Sequence, residues 1–326
     1  MMTTLRFTLG MVLGFILHSA AMAGPAENWA PAWPNTDFSK TSVPLEEIRS
    51  GGPGKDGIPS IDYPRFENLA ALNDAPAATE PVITVVIDGD ARAYPLRILT
   101  WHEIVNDTVS GVPISVTYCP LCNAAIVFDR RVGGRVLDFG TTGNLRMSDL
   151  VMYDRQTESW WQQFLGQAIV GEMIGAELTT LPARLESFER FAARYPNGKV
   201  LVPNDPGMRP YGLNPYAGYD GMPFPFLYDG SMPEGIAPLA RVVAVGATAW
   251  SLDYLRSQRR VEQGDLVLTW EPGQNSALDT RKIAEGKDVG NVVVKRRLAG
   301  GLSDVPYDVT FAFVFHAFRP DGTLIK

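Results

Sequence analysis

The sequence predicts a mainly β protein, a β-rich α+β chain with few short helices and two related β half-domains. Three observations predict it. Gly (31) and Pro (25) are plentiful and cut the chain into short segments. Short apolar runs of strand length recur between these breaks. A stretch late in the chain echoes an earlier one, the pattern of a duplicated unit.

The 326 residues are 45% hydrophobic and 20% charged, an ordinary globular balance. The net charge is −7 and no basic cluster occurs, which argues against a nucleic-acid partner. Residues 1–23 read as a cleaved signal peptide. Arg6 supplies the positive start, 7–17 the apolar run, and Ala21-Met22-Ala23 the cleavage site before Gly24-Pro25. The run is short of the roughly 20 residues that span a bilayer, and no second long apolar stretch follows. The expectation is a periplasmic or extracellular protein with no integral membrane segment after cleavage. Its 28 basic and 36 acidic residues give −8.

Residues 24–66 carry many breakers and little periodicity, and read as an extended arm pinned by Trp29 and Trp33. Residues 67–326 read as one β-rich domain. Within it, 82–87 and 91–94 form a hairpin around Asp88-Gly89-Asp90. A short helix is expected within 95–105, carrying Trp101, His102 and Glu103. Strands follow at 114–118, 124–128, 136–139, 150–153, 160–164 and 168–172. Gly140-Thr141-Thr142-Gly143-Asn144 reads as a turn; it lacks the Lys-Ser/Thr of a phosphate loop. Leu185, Phe188, Phe191 and Ala192 share one helical face over 185–195. The Pro/Gly/Tyr-rich stretch 205–238 is a long loop, either a surface wrap or a lid or binding rim.

The echo pairs about 82–165 with 241–318. Val243 to Leu252 follows the 85–96 hairpin. Leu266-Val267-Leu268-Thr269-Trp270-Glu271-Pro272-Gly273-Gln274-Asn275 aligns without a gap on Ile114-Ser115-Val116-Thr117-Tyr118-Cys119-Pro120-Leu121-Cys122-Asn123. Glu271 and Gln274 stand where the first copy has its cysteines. This reading makes the same turn fold without thiols.

Cys119 and Cys122 are the only cysteines, three positions apart in an expected oxidising compartment. Four chemistries compete. A structural disulfide would close so small a loop that it constrains the unfolded chain little. Thiol–disulfide exchange is open, but 123–130 reads as a strand, not the long helix of a thioredoxin-like site. Metal binding needs further ligands. His102 is a scarce residue type near the pair, with Met152, His316 and Asp107 as weaker candidates. Covalent catalysis with His102 as base ranks last, because an exported thiol beside a second one is prone to oxidation. The charged residues Arg130, Asp149, Asp154 and Arg155 read as structural Asp–Arg pairs.

Trp101-His102-Glu103-Ile104-Val105-Asn106-Asp107, Tyr118-Cys119-Pro120-Leu121-Cys122-Asn123-Ala124, Phe139-Gly140, 148–155 and Ser159-Trp160-Trp161 together resemble the family called domain of unknown function 3179. The resemblance spans most of the chain from about Val82, and it implies an exported prokaryotic protein without an established reaction. It marks the same Cys pair and His102 segment. The family pattern often has a His where this chain has Arg319, which counts against His316 as a ligand.

The sequence therefore points to a soft or borderline metal, copper or zinc, held by Cys119, Cys122 and His102. The alternatives are a periplasmic thiol–disulfide oxidoreductase using the same pair, and a binding or scaffold module with an inert disulfide. A periplasmic redox or metal-delivery partner would fit the first two.

Overall fold

A computed structural model describes residues 25–326; the expected signal peptide, 1–23, lies outside the described residues. The chain is β-rich, and five small sheets form a propeller-like ring. The helices are short: α1 Pro25–Trp29, α2 Leu96–His102, α3 Phe188–Arg194, α4 Leu252–Gln258 and α5 Ala312–Phe318.

The first sheet is built on the hairpin Pro81–Ile87 and Asp90–Pro95. Asp88 and Gly89 both take positive φ (48° and 83°), the turn that an Asp-Gly pair favours because it matches strand twist. Arg184–Ser187 flanks it antiparallel and Lys199–Val202 parallel, with Arg65–Asn68 at the far edge. The second sheet runs Ile104–Val109, Val112–Cys119, Ala124–Asp129, Thr179–Thr180. The third runs Ile48–Ser50, Phe139–Arg146, Asp149–Asp154, Trp160–Gln162, Gln167–Val170. In the fourth, Arg241–Val245 and Thr248–Ser251 lie between antiparallel Asp308–Phe311 and parallel Thr323–Ile325. The fifth runs Arg260–Gln263, Leu266–Glu271, Asn291–Leu298, Gly301–Asp304.

Two expectations meet corrections here. Residues 184–187 are strand, not helix, because Leu185 pairs with Ile83; helix begins only at Phe188. Edge pairing overrides the helical spacing of Leu185. Gly140-Thr141-Thr142-Gly143-Asn144 is not a turn but part of a strand, whose register with its neighbour slips between Thr141 and Leu145. Gly143 takes φ 77°, and a Cβ there would lie 1.9 Å from the Pro53 carbonyl oxygen. The glycine is thus a bulge that lets the arm lie against the sheet.

The first and fourth sheets share one order of strand directions, as do α2 and α4 behind their hairpins. The second and fifth are both four-stranded meanders in space. The loops differ. Cys119 pairs directly with Ala124, whereas Glu271 pairs with Asn291, so 272–290 make a long excursion. The expectation that the Cys turn is rebuilt without thiols is not met.

The arm packs along the third sheet. The Trp29, Trp33 and Phe38 rings lie 4.9, 5.1 and 5.2 Å from Trp160, which is fully buried. Ile48–Ser50 adds an edge strand. Among the described residues no helix is long and apolar enough to cross a membrane.

Trp160→Ala should remove the centre of this aromatic cluster. The expected cost is about 3–5 kcal/mol in urea unfolding, as for other large buried aromatic truncations. Limited proteolysis should then cut within 25–64 first, since the arm's contacts converge on that ring.

Candidate functional site

The strand Val112–Cys119 ends in Pro120-Leu121-Cys122-Asn123, a turn closed by the Cys122 N–H donating to the Cys119 carbonyl (3.2 Å). Pro120 sits where its fixed φ suits the turn and no ladder donor is needed. Asn123 takes φ 50° and returns the chain to Ala124–Asp129. The Cys122 carbonyl accepts from the Phe311 N–H (3.1 Å) and the Thr310 hydroxyl (2.9 Å), which fixes the turn to the fourth sheet.

A second turn meets it from the third sheet. Met147 and Ser148 both take positive φ (51° and 66°) between Phe139–Arg146 and Asp149–Asp154. Neither is Gly or Asn, so each costs about 1–2 kcal/mol relative to ordinary backbone. The conformation faces the Ser148 carbonyl oxygen toward both thiols, 3.9 Å from Cys119 Sγ and 3.5 Å from Cys122 Sγ. It also delivers Asp149. The two sulfurs and an Asp149 carboxylate oxygen lie within 4.8 Å of one another, all buried.

Asp149 Oδ2 accepts from the Gln162 amide (2.6 Å) and the Phe164 N–H (2.9 Å). Its Oδ1 has no N–H or O–H donor; the groups beside it are the two thiols, which also face the Ser148 carbonyl. Burial pushes the Asp149 carboxyl up to about 6, against the pull of those hydrogen bonds. Burial also pushes the Cys119 thiol up, against a hydrogen bond with Cys122 that lowers it, and burial pushes the Cys122 thiol well up, with Cys119 and Asp149 adding to the rise.

Glu103 completes the cluster. It follows α2 with φ 58°, its N–H donating to the Leu99 carbonyl (2.7 Å). Its carboxyl is buried within hydrogen-bonding reach of Tyr216, and burial pushes it up to about 8. The charges acting on these four groups are chiefly one another's, all acidic.

The other expected ligands lie elsewhere. His102 Nδ1 is 2.7 Å from the Pro59 carbonyl oxygen and Nε2 is 2.8 Å from the Tyr211 hydroxyl, on which the ring stacks. The carbonyl can only accept, so Nδ1 carries the proton and Nε2 accepts from Tyr211. Burial lowers its pKa, in keeping with a neutral ring. The three-donor group thus contains Asp149 and not His102. Asp107 is paired with Arg92 (2.7 Å) and Tyr94 (2.6 Å). His316 lies on α5, not on a terminal strand, and meets Ser231 (2.9 Å). Met152 is buried in the strand Asp149–Asp154, opposite Trp161. Arg130 and Arg155 do form the expected ion pairs, with Asp138 and Asp56. Asp149 and Asp154 do not: Asp154 is held by Thr157 and Trp161.

Glu103 and Asp149 are the residues that sequence reasoning undervalued. The one signal for Asp149 was its place in an otherwise apolar run, which forces burial of a carboxyl.

A five-bladed β ring with a buried dithiol–carboxylate centre defines the class. The chain belongs to the family described as protein of unknown function (DUF3179), whose model matches residues 55–322. No curated protein and no solved structure matches it.

The raised carboxyls set a pH dependence with a definite sign. The folded chain keeps protons on Asp149 up to about 6 and on Glu103 up to about 8. Burial pushes Glu186 and Asp308 each up to about 7. The unfolded chain releases these protons near pH 4. Between those limits the folded state binds more protons, so stability falls as pH rises. Urea titrations of metal-free protein should show a lower midpoint at about pH 8.5 than at about pH 5. Glu103→Gln should flatten the upper part of that slope.

Proposed function

We propose that this protein binds one soft or borderline metal ion, zinc before copper, through Cys119, Cys122 and Asp149. The observation that carries the reading is the convergence of two sulfurs and a carboxylate oxygen in a buried space, where among the described residues no cation figures in the shifts of their pKa values. A divalent ion would replace the protons of all three groups and supply the missing positive charge. Two thiolates with one carboxylate suit zinc, which accepts oxygen as readily as sulfur, while copper(I) favours sulfur. Three protein donors leave a fourth position for solvent or a substrate. Glu103 stands beside the set as a proton-holding carboxyl.

The oxidoreductase alternative has one supporting observation. Asp149, held near neutrality beside the thiols, is a candidate proton acceptor for dithiol chemistry. Against it, both sulfurs are buried, and burial raises the pKa of both thiols.

Two further readings accompany the first. Export places the metal centre in the periplasm or outside the cell, within reach of a metal-delivery partner. Duplication relates the first and second sheets to the fourth and fifth. Its support is detailed: Glu103 and Arg259 end α2 and α4 with the same conformation (φ 58° and 62°), and Tyr118 and Trp270 donate to their carbonyls in the same way. Gly198 and Gly322 likewise press on Phe191 and Phe315. The third-sheet strands from Phe139 to Val170 are then an insertion within the first copy, between Asp129 and Thr179.

Protein prepared from periplasm should contain one zinc per chain by elemental analysis. Cobalt(II) titration should give a thiolate charge-transfer band. Cys119→Ser should abolish both, Asp149→Asn should weaken binding by about tenfold or more, and His102→Ala should leave the metal in place. Metal-free protein whose two thiols cycle in a mild redox buffer would replace this reading with the oxidoreductase one.

A further inference from the structure

A cavity of about 430 Å³ lies between the 205–238 segment and the third sheet. Three of its wall residues adjoin the centre: Leu121 lies between the two cysteines, Leu150 follows Asp149, and Glu103 acts on Cys119. The 205–238 segment supplies Tyr216 and Tyr219. No Arg, Lys or His is among the lining residues. The Tyr219 hydroxyl is already committed, donating to the Leu121 carbonyl (3.1 Å) and accepting from the Phe226 N–H (3.2 Å). The Thr141 hydroxyl likewise donates to the Ile58 carbonyl (2.7 Å), so the polar side chains left among the lining residues are the Glu103 carboxyl, the Tyr216 hydroxyl and the Asn144 amide.

A second, independent observation concerns the rim. Met222 and Phe226 line the cavity, and the segment they bound is exposed, with Met222 at 54%, Phe224 at 66% and Phe226 at 49%. Three large apolar side chains within five residues stay in contact with water at one edge of an apolar cavity. Clustered exposure of this kind marks a place where apolar surface is meant to be covered.

We propose that this cavity binds a small, uncharged, largely apolar organic molecule, with one hydrogen-bonding group directed at Glu103 and Tyr216. The volume lies in the range that encloses such ligands. Anions are disfavoured because no basic side chain lines the walls and the neighbouring buried groups are acidic. A fixed cation is disfavoured because Glu103 is the one acidic side chain among the lining residues and its carboxyl lies within hydrogen-bonding reach of the Tyr216 hydroxyl, so a cation would give up its hydration for a single shared carboxyl in an apolar wall. The inference goes beyond the metal reading: the three proposed metal donors are not wall residues, and the cavity needs no ion to be filled. If both hold, the guest lies next to the open coordination position.

The test uses the full chain without its signal segment, in two forms, EDTA-treated and zinc-loaded. N-phenyl-1-naphthylamine is the neutral probe, 1-anilinonaphthalene-8-sulfonate its anionic relative, and benzyltrimethylammonium a cationic competitor. The expected result is saturable enhancement of neutral-probe fluorescence, one site per chain, in the EDTA-treated form. The anionic probe should bind about tenfold more weakly. Leu145→Trp, which fills the cavity, and Phe226→Ser, which removes apolar rim, should each weaken the neutral probe by about tenfold. Phe226 is exposed, so its replacement keeps the comparison valid if Leu145→Trp does not fold. Non-saturable binding, neutral-probe affinity unchanged by Phe226→Ser, equal affinity for the anionic probe, or displacement by benzyltrimethylammonium at lower concentration than the probe would each overturn the inference. Because the EDTA-treated form carries the result, loss of the metal reading leaves it standing, and the reverse also holds.

Discussion

Four groups that give up protons, Cys119, Cys122, Asp149 and Glu103, are buried together, and among the described residues no cation figures in the shifts of their pKa values. Ionised carboxylates and thiolates so placed would repel one another at low dielectric, where charge interactions are several-fold stronger than in water. The fold tolerates the cluster because each group can keep its proton. It also supplies acceptors for those protons: the Ser148 carbonyl and the free oxygen of Asp149 face the thiols. The same property makes the cluster costly to the folded state as pH rises. On the proposed metal reading, displacement of these protons by an ion and the loss of stability with pH would follow from one constraint.

Local backbone strain serves this cluster. Glu103, Asn123, Met147 and Ser148 all take positive φ without being glycine. Each is over-determined by the structure around it: Glu103 by the end of α2, Asn123 by the Cys turn, and Met147-Ser148 by a hairpin whose strands are buried. Strained residues of this kind persist where position matters more than comfort. The contrast with the proposed second copy is informative. Arg259 ends α4 in the same conformation as Glu103, but its guanidinium lies 4.5 Å over the Trp270 ring. Cap geometry thus accepts either charge, so a buried carboxyl at Glu103 is not a requirement of the helix.

Much of the fold was legible. The Asp-Gly hairpin, α2 and the pinning tryptophans follow from turn chemistry and from the shortage of other uses for large aromatics in an arm. The Cys pair was legible because cysteines are few. The third member of the buried group was not. His102 looked suitable because imidazole is a common ligand, but a short helix turns adjacent residues to different sides, and it is Glu103 that joins the cluster. Asp149 was misread as one half of an Asp–Arg pair, since sequence shows that a carboxyl is buried but not which donors reach it. The bulge at Gly143 was misread as a turn for a similar reason. The contact that requires the glycine comes from Pro53, far away in the chain.

The 205–238 segment supplies one wall of the cavity beside the cluster. Three of its residues are tied to the loop that follows the strand Leu266–Glu271. Asn214 donates to the Thr280 and Arg281 carbonyls, the Gly218 N–H donates to the Asp279 carbonyl (2.7 Å), and Asp220 is held by Arg241, Ser276 and Lys287. Asp220 is buried, and these cations hold its pKa down despite the cost of desolvation. Releasing it would expose an ion-pair network and two orphaned partners, which is costly. The part of the segment carrying Tyr216 and Tyr219 is therefore a fixed wall and not a lid. What remains free of such ties is the exposed apolar stretch around Phe224. Met222 and Phe226, which bound that stretch, also line the cavity, so the long excursion at 272–290, which made the two Cys-type turns differ, is what holds a rigid wall beside an apolar rim.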